Sequence, residues 1–194
     1  YKEYLNIIYA GGDDLFVIGR WDKVIEYAAD IRNRFMEHTK GENLSISGGM
    51  AIVGAKLPIA KAAEIAGEAE EAAKHYNNGE KNAICFLGET VSWNGEFDEV
   101  RMLKDEFRHQ IKDNGLSRSI LHKMKTYAEM ATEGKTLSYL WHSAYYLTRL
   151  SERCSPEAKA FIRELRNQRL TRGVRQYQLT ALAARWAELE LRNE

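Results

Sequence analysis

The sequence predicts an α+β chain in two parts, a mixed strand-and-helix half followed by an all-helical half. Three observations carry this. Short apolar or alternating runs recur in the first half, at residues 5–9, 15–18, 44–53 and 82–87, with helical periods between them. Beyond Phe97 only helical periods remain. The charge also changes: residues 1–97 hold 10 basic and 15 acidic side chains, residues 98–194 hold 18 and 13. An acidic half beside a basic half suggests two modules with different partners. The boundary is set near Gly95, giving domains 1–95 and 96–194.

Leu5, Ile7 and Tyr9 alternate with Asn6, Ile8 and Ala10, which predicts a strand. Leu15-Phe-Val-Ile18 is a second apolar run, and the turn formers Gly11-Gly-Asp-Asp14 between them predict a hairpin. Val24, Ala28, Ile31 and Phe35 share one face of a helix over about 22–38, which Lys40-Gly-Glu-Asn43 breaks. Leu44 to Val53 alternates again. Leu44, Ile46, Met50 and Ile52 form one face, and Ser45, Ser47, Gly49 and Ala51 form a small, polar outer face. Pro58 suits a helix start. Ile59, Ala62, Ala63, Ala66, Ala69 and Ala73 then make a helix with a small-residue stripe, which Asn77-Asn-Gly79 ends. Asn82 to Leu87 is the last strand expected. The second half should be a bundle of four or five helices of about 15–20 residues. Its breaks fall at Asn114-Gly115, Glu133-Gly134, Ser155-Pro156 and around Gly173.

Lys+Arg and Asp+Glu are both 28, so the formal net charge is zero. No apolar run approaches the roughly 18 residues that span a membrane, and no signal peptide is visible. Cys85 and Cys154 lie far apart without metal-ligand spacing. They fit a reducing, cytoplasmic setting as small apolar residues. His38, His75, His109, His122 and His142 form no ligand pattern. Leu137, Trp141, Tyr145 and Thr148 share a helical face that we expect in the core, not as a base-stacking platform. Arg163, Arg166, Arg169, Arg172 and Arg175 recur every third residue. They are either a solvated face or a surface for a neighbouring subunit or RNA phosphates.

The hairpin raises a chemical question. Adjacent carboxylates repel unless something positive binds there, and hard oxygen ligands suit Mg²⁺ or Mn²⁺. Glycines without Cβ atoms let backbone N–H groups approach phosphate. Metal plus glycine-rich backbone is the equipment of phosphoryl transfer. A plain surface turn is the alternative, since Gly and Asp are ordinary turn residues.

The ordered set "YAGGDDLFVIG", "LSISGGMAIV", "LPIAKAAEIAGEAEEAAK" and "EKNAICFLGETVSW" resembles the palm of nucleotide cyclases and polymerases. It resembles more closely the second palm domain of the large subunit of type III CRISPR effector complexes. The helical remainder is similar in position and kind to that family's C-terminal helical domain. The resemblance implies a ferredoxin-like palm that lacks its first strand and helices, followed by an all-α helical bundle. It also implies a C-terminal portion of a larger subunit, with an HD nuclease-like domain and a first palm outside this sequence.

The activity implied is synthesis of cyclic oligoadenylates from ATP with Mg²⁺ or Mn²⁺. A ribose 3′-hydroxyl attacks an ATP α-phosphate and pyrophosphate leaves. By motif position, Asp13 and Asp14 hold the metal ions, Gly11 and Gly12 line the phosphates, Ser47 lies near the adenine and Lys81 meets the triphosphate. Read from the residues alone, Ser47 is equally a solvent-facing strand serine and Lys81 an exposed lysine beside a turn. The partners implied are the other subunits of a CRISPR ribonucleoprotein, with guide and target RNA met indirectly, and no membrane. The opening strand of such a palm carries a further metal carboxylate, so this piece alone is expected to be inactive. Two other readings stand beside this one. A diguanylate-cyclase-like palm is weakened by Asp14, where that family has Glu, and by Leu15, where it has Phe. A non-catalytic assembly module would use the basic helices alone.

Overall fold

The computed structural model describes residues 3–40, 42, 44–134 and 137–192. Gly41 and Asn43, part of the expected helix break, lie outside them. The chain divides into two compact units, Tyr1–Asn94 and Gly95–Glu194. Its α+β class, and the order of strands with helices followed by helices alone, are as read from the sequence.

In the first unit, β1 (Leu5–Gly11) and β2 (Asp14–Gly19) form an antiparallel hairpin with a register shift between Ile7 and Tyr9. Helix α1 (Trp21–His38) follows and buries Ile25. The strand expected over 44–53 shrinks to β3 (Gly48–Met50). Helix α2 (Ile59–Lys74) ends in α3 (Tyr76–Gly79), a single turn distorted by positive φ at Asn77 and Asn78. β3 pairs in parallel with β4 (Ala83–Phe86), and β4 pairs antiparallel with β5 (Glu89–Ser92). The strands thus form two sheets, β1-β2 and β3-β4-β5.

β5 and the small face of β3 also differ from expectation, each for a physical reason. β5 was not foreseen, because its two-residue loop is Leu87-Gly88. Both residues have positive φ (52° and 79°), the type I′ geometry that Asn-Gly usually signals. The small face of β3 is not outer. A Cβ on Gly49 would fall 2.6 Å from the Ala69 carbonyl carbon. That face therefore lies under α2, whose Ala66, Ala69 and Ala73 stripe permits the close approach. Ala73, Ala83 and Cys85 form a buried cluster there, joined by Ala69 and Tyr76.

The second unit comprises α4 (Glu96–Lys112), α5 (Ser119–Glu133), α6 (Ser138–Ser151), α7 (Pro156–Glu164) and α8 (Val174–Arg192). A π turn at Leu165–Arg169 and a 3-10 turn at Leu170–Arg172 link the last two. The stop signals are chemical. Gly134 closes α5 in the left-handed region. The Ser155 hydroxyl accepts from the Ala158 N–H at the start of α7, with Pro156 in the first turn. α8 buries every residue from Leu179 to Ala184 and is the central helix, packed on α4 and α5. Phe107 meets Phe161 edge-on at 5.2 Å, and Tyr139 meets Tyr177 at 5.0 Å.

The expectation for α6 fails at three of its four residues, while Thr148 is half-buried. Leu137, Trp141 and Tyr145 are 66%, 79% and 67% exposed. The buried face is Tyr139, Ser143, Leu147 and Ser151 instead. Ser143 concealed this face, because a serine reads as a surface residue. Here its hydroxyl shares a 2.7 Å hydrogen bond with the Tyr177 hydroxyl and donates to the Leu140 carbonyl at 3.1 Å. A buried polar group with partners costs little. Among the described residues, no helix is long and apolar enough to cross a membrane.

Candidate functional site

The Gly-Gly-Asp-Asp stretch forms the tip of the β1–β2 hairpin. Gly11 pairs with Asp14, leaving Gly12 and Asp13 as a two-residue loop. Gly12 has φ +63°, which a side chain would oppose, and Asp13 is not in that region. Positive φ at the first loop position alone is the type II′ pattern, with glycine where that turn requires it. The Tyr9 side chain covers Gly11, its hydroxyl 2.9 Å from where a Cβ would stand. Asp13 and Asp14 are both exposed.

Ser47 and Lys81 form a second group. Both precede strands of the parallel pair, and the register Gly48↔Ile84 puts them at its shared N-terminal end. Ser47 does not face solvent in the way a strand serine would. Its hydroxyl oxygen is buried and has no hydrogen-bond partner. Lys81 is exposed, and its backbone is unusual. Lys81 and Asn82 have φ of 58° and 51°, both left-handed, directly before β4. Such strain persists only where the surroundings hold it. Here the Trp93 N–H binds the Asn82 carbonyl at 3.0 Å. The Asn82 side-chain oxygen is buried without a partner, as the Ser47 hydroxyl is. Asn82 had no role in the sequence reading. Its signal was a polar residue opening the apolar run Ala83–Phe86.

The hairpin tip and the Ser47–Lys81–Asn82 end therefore lie on different sheets of the same unit, and among the described residues no strand ladder joins them. Two adjacent exposed carboxylates fit a hard divalent cation in kind. They fall short in number, since such ions take about six oxygens. No group of three or more His, Cys, Asp or Glu suited to a metal occurs among the described residues. Phosphate oxygens and water would have to complete the shell.

The arginine series turns inward in part. Arg169 meets Glu99 at 2.6 Å, and Arg175 makes two 2.8 Å bonds to Glu96. Arg166 donates to the Thr148 hydroxyl at 2.6 Å. Arg163 and Arg172 are exposed. A groove of about 330 Å³ lies in the helical unit, lined by Asp98, Glu99, Glu164, Arg169 and Arg172 among others. Its charges are of mixed sign, unlike a site for a polyanion.

Residues 1–85 match the family Cas10/Cmr2, second palm domain. Among curated proteins, the chain is 32% identical over 156 residues to the CRISPR system single-strand-specific deoxyribonuclease Cas10/Csm1 (subtype III-A) of Streptococcus thermophilus. That alignment covers 76% of the chain and 19% of the relative. The protein of the same description from Mycobacterium tuberculosis is 36% identical over 54% of the chain and 12% of its own length. The one from Thermococcus onnurineus is 37% identical over 46% of the chain and 11% of its own length. The chain thus spans between about a tenth and a fifth of these relatives.

Proposed function

The chain belongs to the Cas10 family of type III CRISPR large subunits, with residues 1–85 matching the second palm domain, and from that premise we propose that its first unit makes cyclic oligoadenylates from ATP. One observation carries the reading. The family's palm here presents Asp13 and Asp14, both exposed, on a glycine-bearing two-residue hairpin loop. Carboxylates so placed have no packing role, and their mutual repulsion is relieved by a cation.

In this reading Asp13 and Asp14 hold Mg²⁺ or Mn²⁺, which when bound neutralises phosphate charge. Gly11 and Gly12 bring backbone N–H groups to the phosphates. Lys81 supplies a point positive charge for the triphosphate. Ser47 takes the adenine, and its unpartnered hydroxyl supports that role, since a buried polar group gains most from a new partner. The reaction joins a ribose 3′-oxygen to the α-phosphorus. The bond from that phosphorus to the bridging oxygen breaks, pyrophosphate leaves, and the hydroxyl proton passes to solvent. The protein contributes position and charge, which is most of what phosphoryl transfer needs. The helical unit serves assembly with the other subunits of the ribonucleoprotein, meeting guide and target RNA indirectly. A cytoplasmic location follows from that role.

The test is the double substitution Asp13→Ala with Asp14→Ala in the full complex, incubated with ATP or GTP and Mg²⁺. Chromatography should show oligoadenylates from the parent and a loss of several orders of magnitude in the variant, with subunit ratios unchanged. Undiminished product would remove the catalytic reading and leave assembly alone. Cyclic diguanylate from GTP would support the diguanylate-cyclase alternative.

A further inference from the structure

The two glycines of the hairpin tip are there for different reasons. Gly12 has the positive φ of the loop, and Gly11 does not. The turn therefore leaves the glycine at position 11 unexplained. The Tyr9 side chain explains it. A Cβ on Gly11 would stand 2.9 Å from the Tyr9 hydroxyl oxygen and 3.2 Å from the ring carbon that bears it. The ring thus runs along the strand with its hydroxyl end toward the tip, in space that a side chain at position 11 would fill.

The register says what else shares that face. Residues two apart on a strand point the same way, and so do residues directly opposite on an antiparallel neighbour. Gly11 pairs with Asp14, and Tyr9 pairs with Phe16. Tyr9 and Asp14 therefore stand on one face as diagonal neighbours, with only Gly11 beside them at the tip. Such a diagonal is about 7–8 Å, within reach of an aromatic side chain. Tyr9 is 55% exposed, and its hydroxyl has no hydrogen-bond partner among the described residues. Packing on Phe16 would be served equally by a phenylalanine, so packing does not account for the hydroxyl. A phenol donates a hydrogen bond while carrying no charge. It can therefore meet a phosphate beside Asp14 without adding to the repulsion there.

We infer that Tyr9 is a substrate-binding residue, whose hydroxyl donates a hydrogen bond to a phosphate oxygen of the nucleotide held at Asp14, and that Gly11 is a glycine to admit that hydroxyl. The inference rests on the nucleotide reading of the first unit and adds a residue and the atom that acts. The hydroxyl is the contacting group, not the ring face, because the hydroxyl end is what reaches the tip.

Equilibrium binding of α,β-methylene-ATP, which cannot release pyrophosphate, to the full complex with Mg²⁺ tests it beside the kinetics of oligoadenylate synthesis. Tyr9→Phe should weaken binding of the analogue by about tenfold or more, the loss of a hydrogen bond to a charged acceptor. KM for ATP should rise by a like factor, with kcat within about twofold of the parent's. Gly11→Ala should weaken binding in the parent and add little in the Tyr9→Phe background, because it acts by displacing the hydroxyl. Parent-like binding by Tyr9→Phe overturns the inference, and a loss seen only with Tyr9→Ala would assign the ring to stacking instead. Losses from Gly11→Ala and Tyr9→Phe that multiply would show the two acting apart, which also overturns it. If Asp13→Ala with Asp14→Ala abolishes synthesis while Tyr9→Phe leaves binding intact, the nucleotide reading stands and Tyr9 drops out of it. If the parent neither binds the analogue nor makes oligoadenylates, both fall.

Discussion

Gly49 of β3 lies flush against Ala69 of α2, so closely that a Cβ would stand 2.6 Å from the Ala69 carbonyl carbon. The atoms it would meet are helix backbone, which cannot rotate away. Gly49→Ala should therefore push α2 off β3 and β4 and disturb the Ala73–Ala83–Cys85 cluster. Overpacking of this kind costs about 1–3 kcal/mol. Urea unfolding of the chain measures it. A midpoint equal to the parent's would mean that α2 does not lie as close as described.

The arginines after α7 divide by what they touch. Arg175 binds Glu96 through two bonds of 2.8 Å, with side-chain exposures of 34% and 22%. Arg175→Gln should cost about 1 kcal/mol, since a charge-assisted pair of that kind is partly screened by solvent. Arg163 and Arg172 are exposed, and changing either to Glu should alter stability by no more than about 0.5 kcal/mol. Thermal unfolding separates the two classes. Equal losses at all three positions would show that the series acts as one charged face. Partner-binding tests should accordingly use Arg163 and Arg172, because charge reversal at Arg169 or Arg175 would also break contacts to Glu99 or Glu96.

What the sequence disclosed depended on how local the cause was. The hairpin tip was legible because its turn chemistry is written in four adjacent residues. α1 was legible because its apolar period, Val24, Ala28, Ile31 and Phe35, lies within the helix itself. β5 was not, because Leu87 stands where a type I′ loop normally has Asn. The faces of β3 and α6 were misassigned for a less local reason. Which side of an element is covered depends on its neighbour. Gly49 looked like a surface residue until Ala69 explained it, and Ser143 looked exposed until Tyr177 supplied its partner. In the candidate site, the roles of Asp13 and Asp14 could be argued from charge alone. The burial of the Ser47 and Asn82 oxygens needed the fold.

The helical unit should weaken in alkali. Burial raises the hydroxyl pKa of Tyr127, Tyr146 and Tyr177. Nearby Tyr146 adds to the shift of Tyr127, while the hydrogen bonds shared with Ser119 and Ser143 partly oppose it at Tyr146 and Tyr177. A folded pKa above the unfolded one means that the stabilisation is full below the unfolded value of about 10. It is lost as pH rises through the folded value. The urea midpoint should hold between pH 8 and about 9.5 and then fall. Tyr127→Phe should make that fall shallower while changing neutral stability little. A parent midpoint independent of pH up to about 11 would contradict the burial of these rings.

The chain by itself should bind metal and ATP weakly. Asp13 and Asp14 supply two adjacent carboxylates where a hard divalent ion seeks about six oxygens. No other acidic, histidine or cysteine side chain among the described residues completes a group of three with them. The residues assigned to the base and the triphosphate, Ser47 and Lys81, belong to the β3-β4-β5 sheet. The carboxylates belong to β1-β2, and among the described residues no backbone ladder holds the two groups in register. Positioning is the larger part of phosphoryl-transfer catalysis, so an unlinked pair of half-sites should bind poorly as well as react poorly. Isothermal titration of the chain with Mn²⁺ and ATP should give dissociation constants weaker than about 0.1 mM, the range of sparsely liganded sites. Asp13→Ala with Asp14→Ala should change the heat little, because there is little binding to lose. Tight, metal-dependent ATP binding that the double substitution abolishes would show that the two groups already form a complete site in this chain.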